Sequence, residues 1–339
     1  MKVLVTGAQG QLGRCINDIV QNIYGTGCLD NEFLFSTHSE FNLLDYSSME
    51  RYYYLHDGFD VVINCAAYTN VERAEDDEYW AYKTNSLGVK NLVDFCQKYD
   101  ITLIHISTDY VYDSGFCKED SKLNPLSIYA KSKRDGEIVI ERSNLNKWYI
   151  FRTSWLFSEY DGNFVTNILK RIDNFNEVFG VTDECGCPTY ARDLASFLVN
   201  FTEDTLNFNP INNGIYNISN IGFTTRFNFI EEIIHGYMNL DVFKNKFKKD
   251  FYPSISQEFY SKLLTVTPIS QEEAYKKFNL KAPRPKNVIL ESTKLQEELF
   301  KNDDVILGDS MIFGIPLRRW EKALGECLER YNYNKLNIK

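Results

Sequence analysis

The sequence predicts an α/β protein built on a doubly wound parallel sheet, joined to a smaller α/β domain. Short apolar runs recur at Val3–Thr6, Phe33–Ser36, Val61–Cys65, Leu103–Ser107 and Trp148–Arg152. Helical stretches separate them at Leu12–Ile23, Tyr79–Tyr99 and Tyr129–Arg142. A glycine-rich turn joins the first run to the first helix. Apolar strands alternating with amphipathic helices are the pattern of a parallel sheet covered on both faces.

The first strand, "KVLVT", runs into "GAQGQLG" and then a helix whose Leu12, Ile16, Ile19, Val20 and Ile23 form an apolar stripe. The later strands and helices follow the same alternation up to about residue 150. Beyond it the pattern loosens. "FVTNILKRI" and "RFNFIEEIIHGYM" read as helices, and "GIYNIS" reads as a strand after an Asn-Asn-Gly turn. Residues 241–277 are polar, aromatic and lysine-rich and predict no definite element, and "ERYNYNKLNIK" reads as a fraying tail.

Composition narrows the function classes. The 339 residues carry a formal charge of −10, with 44% hydrophobic and 25% charged residues. That balance suits a globular chain and argues against a nucleic-acid binder, which needs a basic footprint. An anionic small molecule stays compatible, provided a few Arg or Lys residues meet it locally, because screening confines fields to about 8–10 Å. Apolar runs such as Asp60–Tyr68 are far too short to span a membrane. The first strand leaves no room for a signal peptide, so a cytoplasmic location is expected. Of the eight cysteines, Cys65 and Cys96 lie in apolar segments and read as reduced core residues. Cys185 and Cys187 lack neighbouring histidines or further cysteines, so no metal is predicted.

Gly7, Gly10 and Gly13 carry the first functional signal. Gly7 permits a tight turn, Gly10 lets the backbone approach a pyrophosphate, and Gly13 lets the helix pack closely on the sheet. The helix N-terminus then offers free N–H groups to the phosphates. The G-x-x-G-x-x-G spacing resembles the short-chain dehydrogenase/reductase superfamily, in its extended, sugar-nucleotide-modifying branch. The resemblance implies a Rossmann-type domain binding NADPH or NADH along the strand ends. Gln11 and Leu12 in the glycine turn, and Ala66, Ala67 and Thr69 in "NCAAYT", would touch the cofactor. So would Asn42 and Leu43 in "NLLD", where Asn42 stands at a position commonly held by aspartate. The second strand ends in Ser36, Thr37 and His38, offering neither the acid that selects NAD nor the arginine that selects NADP. The choice between them stays open, and His38 reads as a solvated loop residue.

Three Tyr/Lys pairs have the four-residue spacing that stacks side chains on one helix face: Tyr79/Lys83, Tyr129/Lys133 and Tyr331/Lys335. In this superfamily the catalytic strand ends in a hydroxyl residue and the tyrosine opens the next helix. "LIHISTDY" ends a strand at Ser107, Thr108 and Asp109, and Pro125 and Ser127 suit the start of the helix that carries Tyr129 and Lys133. The other two pairs read as surface pairs. A ketone reduction needs a proton on oxygen as well as a hydride on carbon. A lysine about 4 Å from a phenol would stabilise the phenolate by about 4 kcal/mol at an effective dielectric near 20. That would draw the phenol from about 10 toward the range useful for general acid catalysis.

The flanking motifs are more specific. "STDYVYD", "RTSWLF", "GNF" and "VTDECGCPTYARDLA" occur in order, followed by "RP" at Arg284–Pro285 and "PLRRWEKAL" from Pro316. Together they resemble the dTDP-4-dehydrorhamnose reductase family. The resemblance implies Thr108, Tyr129 and Lys133 as catalytic residues, with Tyr129 and Lys133 also touching the cofactor. It implies Thr108, Asp109, Tyr110, Trp155, Asn163 and Arg284 at the substrate, a dTDP-linked nucleotide sugar. Residues 1–150, with part of 175–205 returning, would bind the dinucleotide, and 151–339 mainly the substrate. Tyr110 stands where 4,6-dehydratases carry a glutamate, which disfavours water elimination. Glu184 replaces a usual glutamine, Ser114 separates Asp113 from Gly115, and "RPKNVIL" lacks the serine usual near that Arg-Pro. Alternatives are a reductase for another nucleotide-linked 4-keto sugar, or a binding subunit like that of methionine adenosyltransferase. Some relatives pair through a magnesium-containing interface. A homodimer fits the resemblance, but nothing in the sequence fixes oligomeric state.

Overall fold

The computed structural model describes residues 1–24, 30–174, 177–206, 211–240, 265–299 and 318–337. Its central sheet has six parallel strands, labelled in chain order: β1 Lys2–Thr6, β2 Glu32–Phe35, β3 Val61–Asn64, β4 Thr102–Thr108, β5 Trp148–Thr153 and β6 Gly214–Asn217. They lie in the order β6-β5-β4-β3-β1-β2. The chain therefore leaves β1 first to one side and then to the other, so the C-terminal ends of β1 and β3 flank a crevice. Open α/β sheets bind ligands at such a crevice.

Strand periodicity explains the two buried faces. Val3 and Val5, Val61 and Ile63, Ile104, and Tyr149 and Phe151 point into one core layer. Leu4, Val62, Leu103 and Ile150 point into the other. Successive side chains alternate across a strand, so both sets must be apolar when helices cover both faces. The helix Gln11–Tyr24 buries Leu12, Cys15, Ile16 and Val20 in the first layer, beside the helix Ala191–Asn200. The second layer receives Met49, Leu92, Phe95 and Ile140.

The central sheet continues past residue 150 through β5 and β6, the latter from the "GIYNIS" segment. A separate apolar cluster joins the helices Phe164–Asp173, Arg226–Met238 and Trp320–Asn337. Short strands knit this part together. Asn287–Leu290 runs parallel to Ser114–Cys117 and touches Cys185, while Cys185–Gly186 pairs antiparallel with Thr224–Thr225.

Two sequence expectations need correction. The stretch expected as one helix over Tyr79–Tyr99 contains a π-turn at Lys83–Leu87 between the helices Glu78–Tyr82 and Gly88–Tyr99. The expected fraying tail is helical to Asn337, and Tyr331 is only 2% exposed. Tyr331 completes an apolar stripe with Leu324 and Leu328, so Tyr331/Lys335 is not a surface pair. Tyr79 is exposed, with the Lys83 ammonium 5.1 Å above its ring. In the 241–277 region the structure places the strand Val266–Ile269 and a helix from Gln271. Residues 241–264, and Pro316 and Leu317 of the last motif, lie outside the described residues. No described helix is long and apolar enough to cross a membrane.

Candidate active site

A cavity of about 630 Å³ opens at the C-terminal ends of β1, β3 and β4. Its nucleotide end is built from backbone. Gly7 has φ +65°, and a Cβ there would lie 2.8 Å from the Ala66 nitrogen. A Cβ on Gly13 would lie 2.6 Å from the Gly7 carbonyl oxygen. Both positions exclude a side chain, so the turn, the helix start and the β3 loop meet at backbone distance. This cradle fits a pyrophosphate set against a helix N-terminus. Gly7, Gly10, Gln11, Leu12, Gly13, Ala66, Ala67 and Thr69 all line the cavity. His38 also lines it, although the sequence placed it in a solvated loop.

A buried polar chain supports the β3 side. Thr6 Oγ1 donates to Asn64 Oδ1 at 2.7 Å, and Asn64 Nδ2 lies 3.0 Å from His105 Nδ1. The π-turn brings Asn85 inward, where its amide accepts from Tyr68 N at 2.8 Å and donates to Tyr68 O at 3.0 Å. Asn85 thus holds the "NCAAYT" loop. A Cβ on Gly136 would overlap the Asn85 carbonyl, so the helix Ile128–Glu141 can approach the turn only with glycine there.

That helix starts as its sequence requires. The Ser127 hydroxyl accepts from Ala130 N at 3.1 Å, satisfying an otherwise unpaired N–H. It delivers Tyr129 and Lys133 to the cavity beside Thr108, Asp109 and Tyr110. The Thr108 hydroxyl donates to Asp109 Oδ1 at 3.2 Å, and Ser154 Oγ donates to Asp109 Oδ2 at 2.7 Å. The rings of Tyr110 and Tyr129 meet edge to face at 6.0 Å.

The charge pattern differs from the sequence expectation in one respect. Lys133 Nζ donates to the Ile106 carbonyl at 2.7 Å and lies 3.1 Å from His105 Nε2. Burial lowers the Lys133 ammonium to about 8, against the opposing charge of Glu137. Burial raises the Tyr129 hydroxyl above the ordinary phenol value, and the Thr108 hydrogen bond only partly offsets this. The expected lowering of the phenol is therefore not present: its environment is desolvated and the ammonium is engaged elsewhere. Burial also raises Asp109 to about 6, opposed first by its hydrogen bond from Ser154.

Below the site, Glu137 accepts from Ser107 Oγ at 2.6 Å and takes two hydrogen bonds from Arg152, at 2.9 and 2.8 Å. Both charges are buried, and this bidentate pair ties the Tyr129 helix to β4 and β5.

The opposite end is built from side chains. Trp155 lies against Gly186, where any Cβ would overlap the indole. The Arg226 guanidinium sits 3.4 Å above the same indole and 4.7 Å from the Phe164 ring centre. Trp155 and Arg226 both line the cavity. Four residues assigned to the site from sequence do not. Asn42 Oδ1 accepts from Leu44 N at 2.9 Å, and Leu43 is buried in the second core layer. Asn163 caps the helix Phe164–Asp173 and donates to the Ser158 and Tyr160 carbonyls. Arg284 pairs with Glu72 at 2.7 Å. In each case a nearby backbone group, core or carboxylate engages the side chain. Asn85, His105, Glu137, Arg152 and Arg226 were not singled out from sequence. Their partners lie far along the chain, and only Arg226, opening a predicted helix, had a local signal. Among the described residues, no group of three or more potential metal ligands occurs.

The RmlD substrate binding domain family matches residues 1–333. A dTDP-4-dehydrorhamnose reductase of Aggregatibacter actinomycetemcomitans is 30% identical over 328 residues, 95% of this chain and 97% of that protein. The crystal structure of a dTDP-4-dehydrorhamnose reductase from Clostridium acetobutylicum is similar with a TM-score of 0.75 at 28% identity, covering 97% of this chain and 99% of that one. The Bacillus anthracis dTDP-4-dehydrorhamnose reductase, solved in complex with NADP, gives 0.74 at 25% identity with the same coverage. The chain belongs to the RmlD substrate binding domain family and is a nicotinamide-dependent oxidoreductase of the extended short-chain dehydrogenase/reductase type.

Proposed function

We propose that the protein reduces the C4 ketone of dTDP-4-dehydro-L-rhamnose to give dTDP-L-rhamnose, using NADPH or NADH. The observation that carries this reading is the meeting of Thr108, Tyr129 and Lys133 in one cavity, beside the glycine cradle. The glycine turn and Ala66–Thr69 would hold the dinucleotide, with Lys133 at its nicotinamide ribose. The bound cofactor supplies the hydride that reaches C4.

The side chains supply the rest. Tyr129 gives its hydroxyl proton to the forming alkoxide. Burial keeps that hydroxyl protonated until a substrate oxygen calls for it. Turned from Asp109 to the ketone oxygen, the Thr108 hydroxyl would fix which face is presented. Lys133, which burial lowers to about 8, stays mostly cationic at neutral pH and, turned from the Ile106 carbonyl, would offset the phenolate left by proton transfer. Tyr110 lacks the carboxylate an elimination needs, and burial raises its own hydroxyl to about 12. This supports simple reduction over dehydration.

The test is purified protein with dTDP-4-keto-6-deoxy sugar and NADPH, followed by the loss of reduced-cofactor absorbance. Cofactor oxidation with formation of dTDP-L-rhamnose is expected. A panel in which sugar and base are exchanged then separates this substrate from other nucleotide-linked 4-keto sugars. No oxidation with any member of the panel would reject the reading.

A further inference from the structure

Lys133 and Arg226 are the lysine and arginine side chains lining the cavity among the described residues. Lys133 is already committed to the Ile106 carbonyl and to His105. The Arg226 guanidinium is held on three sides. Trp155 lies beneath it, Phe164 beside it, and Glu184 Oε1 accepts from its Nε at 3.1 Å. The side chain is only 13% exposed, and its two terminal amino groups take no hydrogen-bond partner among the described residues. A guanidinium fixed through its inner nitrogen, with its outer fork free, is a pre-organised receptor for a pair of anionic oxygens. A chain of charge −10 needs such a local cation to accept an anionic ligand.

We propose that Arg226 receives the diphosphate of the nucleotide-sugar substrate, with Trp155 and Glu184 as the residues that position it. The assignment rests on the substrate class proposed above. Arg284, expected at the substrate from the sequence, is paired with Glu72 and does not line the cavity. Because a diphosphate is unchanged by reduction at C4, Arg226 holds the ground and transition states equally. Its loss should therefore appear in KM and not in kcat.

The experiment compares Arg226→Met, Arg226→Lys and Arg284→Met with the wild-type protein. Calorimetry with dTDP and with thymidine reads binding independently of turnover, and NADPH affinity with the melting temperature reports folding. Arg226→Met should weaken dTDP roughly tenfold to a hundredfold and raise the substrate KM similarly, with kcat within about threefold. Thymidine and NADPH binding should be unchanged, and Arg226→Lys should fall between. Unchanged dTDP affinity in Arg226→Met, the same loss in Arg284→Met instead, or no dTDP binding by the wild-type protein would overturn the assignment. Wild-type protein that binds dTDP through Arg226 yet turns over no 4-keto sugar would reject the reductase reading and leave this assignment standing.

Discussion

The two ends of the cavity are made differently. At the nucleotide end, Gly7, Gly13 and Ala66 meet at backbone distance, and the site is a property of the turn itself. At the end proposed for the sugar, Trp155, Arg226 and Glu184 hold one another, and the site depends on side chains brought together from three segments. A backbone site tolerates almost any side chain that does not intrude. A side-chain site changes with each partner. The cofactor end should therefore be the constant part of this enzyme and the sugar end the adjustable part.

Tyr129 stands where the two ends meet, and its change gives the largest expected effect. Tyr129→Phe should lower kcat about 10²- to 10⁴-fold with cofactor affinity unchanged, measured by steady-state kinetics and NADPH titration. Unchanged turnover would remove the tyrosine from the mechanism.

The next effect falls beneath the site. Arg152→Met leaves Glu137 buried without its bidentate partner and should cost about 3–5 kcal/mol of stability, measured by denaturant unfolding. Burial raises Glu137, yet the hydrogen bonds and charge of Arg152 hold it below its ordinary value. The stabilisation is thus present above the unfolded value near 4.5 and disappears as pH falls through the lower folded one. Acid sensitivity in that range should be blunted in the variant.

Asp109 has the opposite sign. Its folded value near 6 lies above its unfolded value of 3.8, so the folded state binds the extra proton between them. Stability should fall by about 2 kcal/mol as pH rises from 4 to 6. Asp109→Asn should lack that fall, and identical pH–stability profiles for the two proteins would reject the assignment.

The smallest effect tests the comparison most directly. Gly186→Ala forces the Trp155 indole to shift and should raise the substrate KM about tenfold, leaving cofactor binding intact. Gly7→Ala should do the reverse, because the positive φ and the Ala66 backbone both oppose a side chain there. If both variants fail at the same ligand, the two ends are not independent.

The same division decides what the sequence could show. The glycine turn, the hydroxyl strand end and the Tyr129/Lys133 pair are set by local spacing, and local spacing is legible. The strands were legible because both faces are buried. Arg226 was not, since its meaning depends on Trp155, 71 positions earlier, and on Glu184. The Arg284 pairing was hidden for the same reason: an Arg-Pro motif says nothing of a carboxylate at Glu72. Tyr331 was readable in principle, because Leu324, Leu328 and Tyr331 keep helical spacing, but the polar residues around it masked the stripe.

The strand Asn287–Leu290 has one more consequence. It aligns with Ser114–Cys117 across 173 positions of chain, whereas every strand of the central sheet is complete by Asn217. During synthesis, a nascent polypeptide can assemble its dinucleotide cradle long before the ribosome has released the piece that closes the small sheet. Pairings so distant in sequence are slow to form. Maturation should thus have an order, with competence for the cofactor arriving first and competence for the sugar last.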